Sequence, residues 1–143
     1  MGQRFSTASY LMDADAIKAF AAQFDPQPFH LSDEGAQGSL FGALVASGWH
    51  TAAVSMRLQV QSGPRLAGGV IGASAELRWP QPTRAGDVLH VESEILAIHP
   101  SESRPDRGKM ILRSQTLNQR AEVVQIQTAT LILRRRPPGL RPV

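Results

Sequence analysis

The spacing of the apolar residues changes once along this chain, near Gly68, and that change limits the folds that the chain can adopt. Beyond Gly68, apolar and polar residues alternate, as they do in strands with one buried face. Because the links between these segments are short, and Asn118-Gln119-Arg120 is typical of a tight hairpin, we expect an antiparallel meander. The alternation predicts four strands, at residues 69–79, 88–99, 109–118 and 122–134.

Upstream of this change the apolar spacing is helical. Residues 12–24 predict an amphipathic helix, and Asp13 can accept hydrogen bonds from its first amides. A second, short helix is predicted over residues 33–36, between Ser32, a good N-cap, and Gly38, a typical C-terminal residue. The apolar face of the first helix consists of Ile17, Phe20, Ala21 and Phe24.

The longest apolar stretch, residues 40–60, predicts a central helix. Ser47 can cap it, so we expect a helix from Gly48 to Gln61 that is buried on most sides. Its small residues allow a curved sheet to approach closely, which predicts an α+β fold with an antiparallel sheet wrapped around one long central helix. The residues expected to form its buried stripe are Trp49, Ala52, Ala53, Met56 and Val60, whereas Arg57 and Gln59 fall outside the stripe.

The length and composition of the chain limit its class. A chain of 143 residues can form one domain that buries roughly 70% of its unfolded surface. We assign residues 1–136 to that domain and residues 137–143 to a flexible C-terminal tail. With no cysteine and four scattered histidines, no disulfide and no metal site are expected. No segment resembles a leader or a membrane span, so we expect a soluble, cytoplasmic protein with no membrane partner.

The charge of the chain is unevenly distributed. The formal net charge is +3 and the sequence pI is about 10.2. Four arginines lie in the last ten residues, and subtracting their charge from +3 leaves −1 for the rest of the chain. A nucleic-acid-binding domain usually carries a basic stripe on its folded surface. We therefore expect no nucleic-acid partner.

The segment between the first two predicted helices, residues 25–30, contains an acid and a histidine in a constrained loop. Pro26 and Pro28 fix their own φ and push the preceding residues towards extended geometry, so the loop is stiff. A stiff loop can aim Asp25 and His30 at one point, as acid–base catalysis requires. The spacing alone favours the alternative, in which Asp25 caps a turn and His30 is a half-buried structural residue.

Three segments, taken in order, resemble the MaoC-like hydratases of the hotdog-fold superfamily. The acid-x-Asn-Pro-x-His loop of that family is similar to residues 25–30 of this chain. Its small-residue stretch, which runs into a glycine at the start of the long helix, is similar to residues 46–49. Its apolar-Pro pair and Gly-Asp turn are similar to residues 77–80 and 85–89. The resemblance covers most of the chain and implies the hotdog fold, in which a sheet wraps one long helix.

The resemblance implies a lyase that hydrates a trans-2-enoyl thioester to a 3-hydroxyacyl thioester, or catalyses the reverse dehydration. It implies that Asp25 and His30 are the acid–base pair, with Asp25 favoured as the base and His30 as the residue that orients the water, although the sequence leaves that division open. It also implies that the Gly48 N–H binds the thioester carbonyl. It implies coenzyme A as part of the substrate, with no separate cofactor. The residues implied to bind the substrate are Gln27, Phe29, Ser47 and Trp49.

The chain departs from the family pattern in ways that concern the substrate more than the fold. Gln27 stands where the family usually has asparagine, and Ser47 stands where histidine is common. A serine that the family often carries on the long helix has only Thr51 or Ser55 as an approximate counterpart. Two alternatives therefore stay open: a hotdog thioesterase, which directs water at the carbonyl, and a non-catalytic acyl-CoA-binding module.

Three further expectations concern partners and neighbours of the site. An isolated hotdog sheet exposes an edge and an apolar helix flank, so we expect at least a homodimer. His50 is expected to be a partly exposed helix residue, with contact to the site as the alternative. The arginines that could meet the phosphates of coenzyme A are Arg78, Arg84, Arg104 and Arg107.

Overall fold

The computed structural model describes residues 2–66 and 68–134 of the chain. The tail predicted at residues 137–143, and the predicted domain end at 136, lie outside the described residues. Among the residues that are described, no helix is both long and apolar enough to cross a membrane. The elements in chain order are β1 (Arg4–Ser6), β2 (Tyr10–Leu11), α1 (Ala14–Phe24), α2 (Pro28–Leu31), α3 (Asp33–Gln37), α4 (Gly48–Ser62), β3 (Ile71–Arg78), β4 (Val88–Pro100), β5 (Arg107–Leu117) and β6 (Val123–Arg134).

The six strands form an antiparallel sheet in the order β1-β4-β5-β6-β3, with β2 beside β4. The predicted meander is confirmed for β4, β5 and β6 but is wrong for β3, which pairs with β6 at the far edge. Because β1 and β2 pair along one side of the first half of β4 and β5 pairs along the other side, that half of β4 has no edge free for β3. The link between β3 and β4 therefore passes the ends of β5 and β6, and it carries Trp79 and Thr83.

The predicted long helix is confirmed as α4, around which the sheet wraps in the hotdog arrangement. The predicted buried stripe is wrong, because Trp49, Met56 and Val60 are 60%, 40% and 62% exposed. The side chains that face the interior are His50, Thr51, Val54, Ser55, Leu58 and Gln59. Since most of these are polar, hydrophobicity indicated the wrong face of the helix.

The shorter helices begin at the predicted caps. Asp13 Oδ1 accepts the Asp15 N–H at 3.4 Å at the start of α1, and Ser32 Oγ accepts the Gly35 N–H at 2.9 Å at the start of α3. On α1 the predicted face is only partly buried, because Phe24 is 68% exposed. The single-turn helix α2 was not predicted, although its first residue is a proline, which is well suited to a first helical turn.

Candidate active site

Two adjacent helix ends bring the carboxylate of Asp25 and the imidazole of His30 together. Asp25 is the C-cap of α1, and His30 lies in α2, which follows the extended residue Gln27. The two prolines of the loop limit the backbone between them. Asp25 Oδ2 lies 3.3 Å from His30 Nε2. The structure therefore brings together the acid and the histidine that the sequence singled out.

The second ring nitrogen of His30 fixes the orientation of the ring. Nδ1 lies 2.7 Å from the carbonyl oxygen of Val45, which can only accept a hydrogen bond, so Nδ1 carries a hydrogen and donates it. Nε2, which faces Asp25, is therefore the nitrogen that can gain or lose a proton. The His30 side chain is buried, and this backbone contact holds it in one tautomer.

Asp25 is stabilised as a carboxylate by its neighbours. Gln27 Nε2 donates to Oδ1 of Asp25 at 2.6 Å, and the Ser47 hydroxyl also donates to the carboxylate. Burial raises the pKa of Asp25, but the hydrogen bonds from Gln27 and Ser47 and the attraction of His30 outweigh it, so the pKa lies below its ordinary value. At neutral pH Asp25 is therefore ionised and acts only as a hydrogen-bond acceptor.

Gly48 presents a backbone amide at the start of α4. Its N–H lies in the first turn, where the helix supplies no acceptor, and within the described residues no other backbone carbonyl accepts it. A Cβ at this position would lie 2.8 Å from the indole of Trp79, closer than side chains normally pack. Gly48 thus combines an available donor at the positive end of a helix with a close approach that only glycine allows.

A cavity of about 360 Å³ opens beside His30 and Gly48. Asp25 is not among its lining residues, but it contacts His30, which is. The wall is largely apolar and includes aromatic rings and two hydroxyls, as expected for a site that binds an organic group and orients it by a few polar contacts. The aromatic and hydroxyl side chains in the wall, besides the His30 ring, are Phe29, Phe41, Trp79, Thr51 and Thr83.

The four residues implied to bind the substrate fall into three places. Phe29 lines the cavity. Gln27 and Ser47 contact Asp25 instead, so they act on the carboxylate. Trp49 lies outside the cavity, because adjacent residues of a helix point in different directions, and its ring packs edge-to-face on Trp79 with centroids 5.4 Å apart.

Three of the four arginines considered for coenzyme A make separate contacts within the chain. Arg84 lies near the site, where its guanidinium donates to the Phe41 carbonyl at 3.1 Å. Arg78 pairs with a glutamate on its own strand, and Arg107 pairs with its neighbour Asp106. In the described part of the chain, no group of three or more histidine, aspartate or glutamate side chains is placed to hold a metal ion.

His50 is the site neighbour that the sequence reasoning misjudged. It was expected to be partly exposed, but it is 7% exposed and its ring stacks on Phe20 with centroids 4.7 Å apart. Its Nδ1 is buried with no hydrogen-bond partner among the described residues. Burial lowers the pKa of His50 below its ordinary value. The sequence did contain a signal for this burial: Val54 and Leu58 lie four and eight residues after His50, and all three residues are on the buried face of α4.

Comparisons with known proteins support the same fold over most of the chain. The profile of the family described as "MaoC like domain" matches residues 1–127. The chain is similar to the crystal structure of a MaoC-like dehydratase from Rhodospirillum rubrum, with 61% sequence identity and a TM-score of 0.93. That match covers 96% of this chain and 94% of the other chain.

Two curated proteins are similar in sequence. The uncharacterized protein YdeM of Bacillus subtilis (strain 168) is 32% identical over 138 residues, which are 94% of this chain and 95% of that protein. The 3-hydroxybutyryl-CoA dehydratase of Methylorubrum extorquens is 33% identical over 81 residues, which are 56% of this chain and 50% of that enzyme. The relative with a named activity is therefore matched over only part of its length.

Proposed function

This chain belongs to the MaoC-like domain family, and we propose that it is a hydratase or dehydratase that adds water across the 2,3 bond of an enoyl-CoA or removes it from the 3-hydroxyacyl-CoA. One observation carries the proposal: His30, which is paired with Asp25, and Gly48 line the same cavity. The name of the Methylorubrum relative supports an acyl-CoA substrate. Coenzyme A enters as part of the substrate, and we propose no separate cofactor.

The geometry suggests how the two side chains divide the work. Asp25, with its lowered pKa, is a weak base, so we assign proton removal from water to His30 Nε2, the nitrogen that carries no hydrogen in the neutral ring because Nδ1 donates to Val45. The hydroxide then bonds to the β-carbon, and Asp25 stabilises the positive charge left on His30. The proton then passes from Nε2 to the α-carbon, so the hydroxide and the proton of one water molecule are both added across the double bond.

The Gly48 amide serves the third requirement of this reaction. Attack at the β-carbon moves negative charge onto the thioester oxygen, as in an enolate. A backbone N–H at the positive end of α4 can donate to that oxygen without rearrangement. In this scheme the Gly48 amide activates the substrate, His30 deprotonates the water, and Asp25 stabilises the charged His30.

The test is an assay with short trans-2-enoyl-CoA esters that follows the loss of the conjugated enoyl absorbance. We expect hydration by the wild type and a loss of about 100-fold or more in kcat for Asp25→Asn and for His30→Ala. His90→Ala is a matched control, because His90 Nε2 also pairs with a carboxylate, Glu92, at 3.1 Å but on the exposed side of β4. We expect it to retain activity.

The same assay separates the alternatives when release of free thiol is followed in parallel. Thiol release without loss of the enoyl group would identify a thioesterase instead. Binding of enoyl-CoA with neither reaction would identify an acyl-CoA-binding module. Hydration that persists in both Asp25→Asn and His30→Ala would contradict the assigned roles.

We also propose that the protein is at least a homodimer. Strand β3 is an open edge of the sheet, and Ile71 on it is 46% exposed. Trp79, which directly follows β3, packs against Trp49 of α4. Together with Met56 and Val60, Trp49 forms the exposed apolar flank of α4. An unpaired edge next to an apolar surface favours pairing with a second copy across a twofold axis.

A further inference from the structure

The face of α4 that packs on the sheet is polar where a hydrophobic core is normally found. Thr51, Ser55 and Gln59 lie four residues apart on one side of the helix and are each 6% exposed or less. Their partners on the sheet and on the link before β4 are also buried polar residues. We call the set Thr51, Ser55, Gln59, Thr83, Ser93, Ser114 and Thr116 the polar ladder.

The polar ladder consists of three hydrogen-bonded rungs. Thr51 Oγ1 donates to Thr83 Oγ1 at 2.9 Å. Ser55 Oγ lies 2.6 Å from Thr116 Oγ1. Each of these bonds joins the helix to a different part of the chain, so the ladder fixes the distance between α4 and what surrounds it.

The third rung is a cluster of one amide and two hydroxyls. Gln59 Nε2 donates to Ser114 Oγ at 2.6 Å and lies 3.3 Å from Ser93 Oγ, while the two serine oxygens are 2.9 Å apart. A buried network in which every member is bonded is rigid, and separating its members would leave unpaired polar groups in the interior. The ladder therefore resists opening.

The ladder divides the apolar interior into two parts. On β4 the inward positions change from Leu89 and Val91 to Ser93 and then back to Ile95, and these apolar residues belong to separate core clusters. Thr51 and Thr83 are also part of the cavity wall beside His30 and Gly48. Beyond the ladder, next to Gln59 and Ser114, lies a narrow apolar space of about 20 Å³.

We propose that the polar ladder closes the interior to long alkyl chains, so that the substrate is a short-chain acyl thioester whose acyl group ends against Thr51 and Thr83. This inference rests on the proposed function. With the reacting carbons beside His30, an acyl chain that extends between α4 and the sheet meets the first rung at once. An alkyl chain cannot replace the hydrogen bonds it would break, so entry leaves buried hydroxyls unpaired.

The wild-type enzyme provides the first test, because it needs no variant that must fold. The values of kcat/KM are measured for trans-2-enoyl-CoA esters with acyl chains of four, six, eight and twelve carbons. We expect the four-carbon ester to be preferred over the eight-carbon ester by about ten-fold or more, since a pocket that excludes even one methylene discriminates by about that factor. Equal kcat/KM for the two esters would overturn the inference and leave the proposed function intact.

A double variant, Thr51→Ala with Thr83→Ala, opens the first rung. We expect the eight- to four-carbon ratio of kcat/KM to rise about five-fold or more, as the wall recedes and loses its hydroxyls. If this protein fails to fold, Thr51→Val with Thr83→Val keeps the volume and removes both hydroxyls together, which costs little stability. It should raise the same ratio to a smaller extent.

The matched control is Thr128→Ala, which removes an exposed threonine from the outer face of β6 and should leave the chain-length profile unchanged. A profile that is identical in the wild type and in both ladder variants would overturn the inference. If the wild type hydrates none of the esters, the proposed function fails, and the inference fails with it. A preference for the eight-carbon ester would contradict the inference but would leave the proposed function intact.

Discussion

At the scale of single residues, Gly48→Ala sets two effects against each other. Alanine has a higher helix propensity than glycine, so α4 alone would be slightly stabilised by this change in its first turn. The new Cβ would however lie 2.8 to 3.0 Å from the Trp79 indole, whose Nε1 donates to Gln125 at 3.0 Å. We expect the clash to dominate and to displace the amide, so kcat should fall about ten-fold or more.

Gly72→Ala is the matched control for this change, because a Cβ there has no atom within 4 Å. It should leave both kcat and the melting temperature near their wild-type values. Wild-type kcat and melting temperature in Gly48→Ala would contradict both the close packing of Trp79 and the role of the amide. Partial recovery of kcat in Gly48→Ala combined with Trp79→Phe would assign the loss to the indole.

His50 predicts a pH dependence of stability. Burial lowers its pKa in the folded protein, whereas the unfolded chain binds a proton near the ordinary value of about 6.5. As the pH falls below that value, the unfolded state takes up more protons than the folded state, so the free energy of unfolding decreases. We expect His50→Phe, which keeps the stack on Phe20, to lose this decrease between pH 7 and 5.

Urea unfolding at several pH values measures this effect. His99→Phe is the control, since His99 is exposed and its replacement should keep the wild-type slope. Asp25 contributes in a separate window: because its folded pKa is lowered, its stabilisation is lost only as the pH falls below its ordinary value of about 3.8. If the free energy of unfolding changes equally between pH 7 and 5 in the wild type and in His50→Phe, His50 is not the source of the pH dependence.

At the scale of elements, Ser47 joins the long helix to the catalytic pair. Its hydroxyl oxygen accepts the Trp49 N–H at 3.2 Å, and its hydrogen is donated to Asp25. Ser47→Ala should lower the free energy of unfolding by about 1 kcal/mol through loss of the cap. It should also lower kcat, because Asp25 loses one of the donors that hold it.

Ser47→Thr keeps both hydrogen bonds and should restore most of the stability and activity. Asp13→Ala is the control, because Asp13 caps α1 without touching the pair; it should lower the free energy of unfolding but leave kcat unchanged. Chemical unfolding and the enoyl-CoA assay measure the two effects separately. A stable, fully active Ser47→Ala would show that neither contact matters.

The same elements show what local sequence can and cannot predict. Asp13 and Ser47 predicted where α1 and α4 begin, because capping depends on residues within one turn. The buried face of α4 was predicted wrongly, because Thr51, Ser55 and Gln59 are satisfied by partners more than thirty residues away along the chain. A polar side chain looks exposed in a sequence until its distant partner is known.

At the scale of the whole molecule, strand order follows from competition for edges. The lengths of β4, β5 and β6 and their meander could be predicted, because each strand pairs with the next along the chain. The position of β3 could not, since it depends on β1, nearly seventy residues earlier, occupying the other side of β4. The cavity could not be predicted for the same reason, because Trp79 and Thr83, which line it, lie on the link that follows β3.

That arrangement leaves β3 as a free edge beside an apolar helix flank, and we expect a second copy to cover both. Sedimentation equilibrium should give a dimer mass or a multiple of it. Val60→Glu places a charge on the flank of α4, where Val60 is 62% exposed, and should shift the protein towards the monomer.

Leu96→Glu is the matched control, because Leu96 is also exposed, at 44%, but lies on β4, away from the open edge. It should leave the mass unchanged. A monomeric wild type would contradict the dimer, and dissociation by Leu96→Glu alone would move the interface to the other side of the sheet. Because Trp49 on the flank packs against Trp79, whose indole lies against Gly48, the monomeric Val60→Glu protein should also lose activity in proportion to its dissociation.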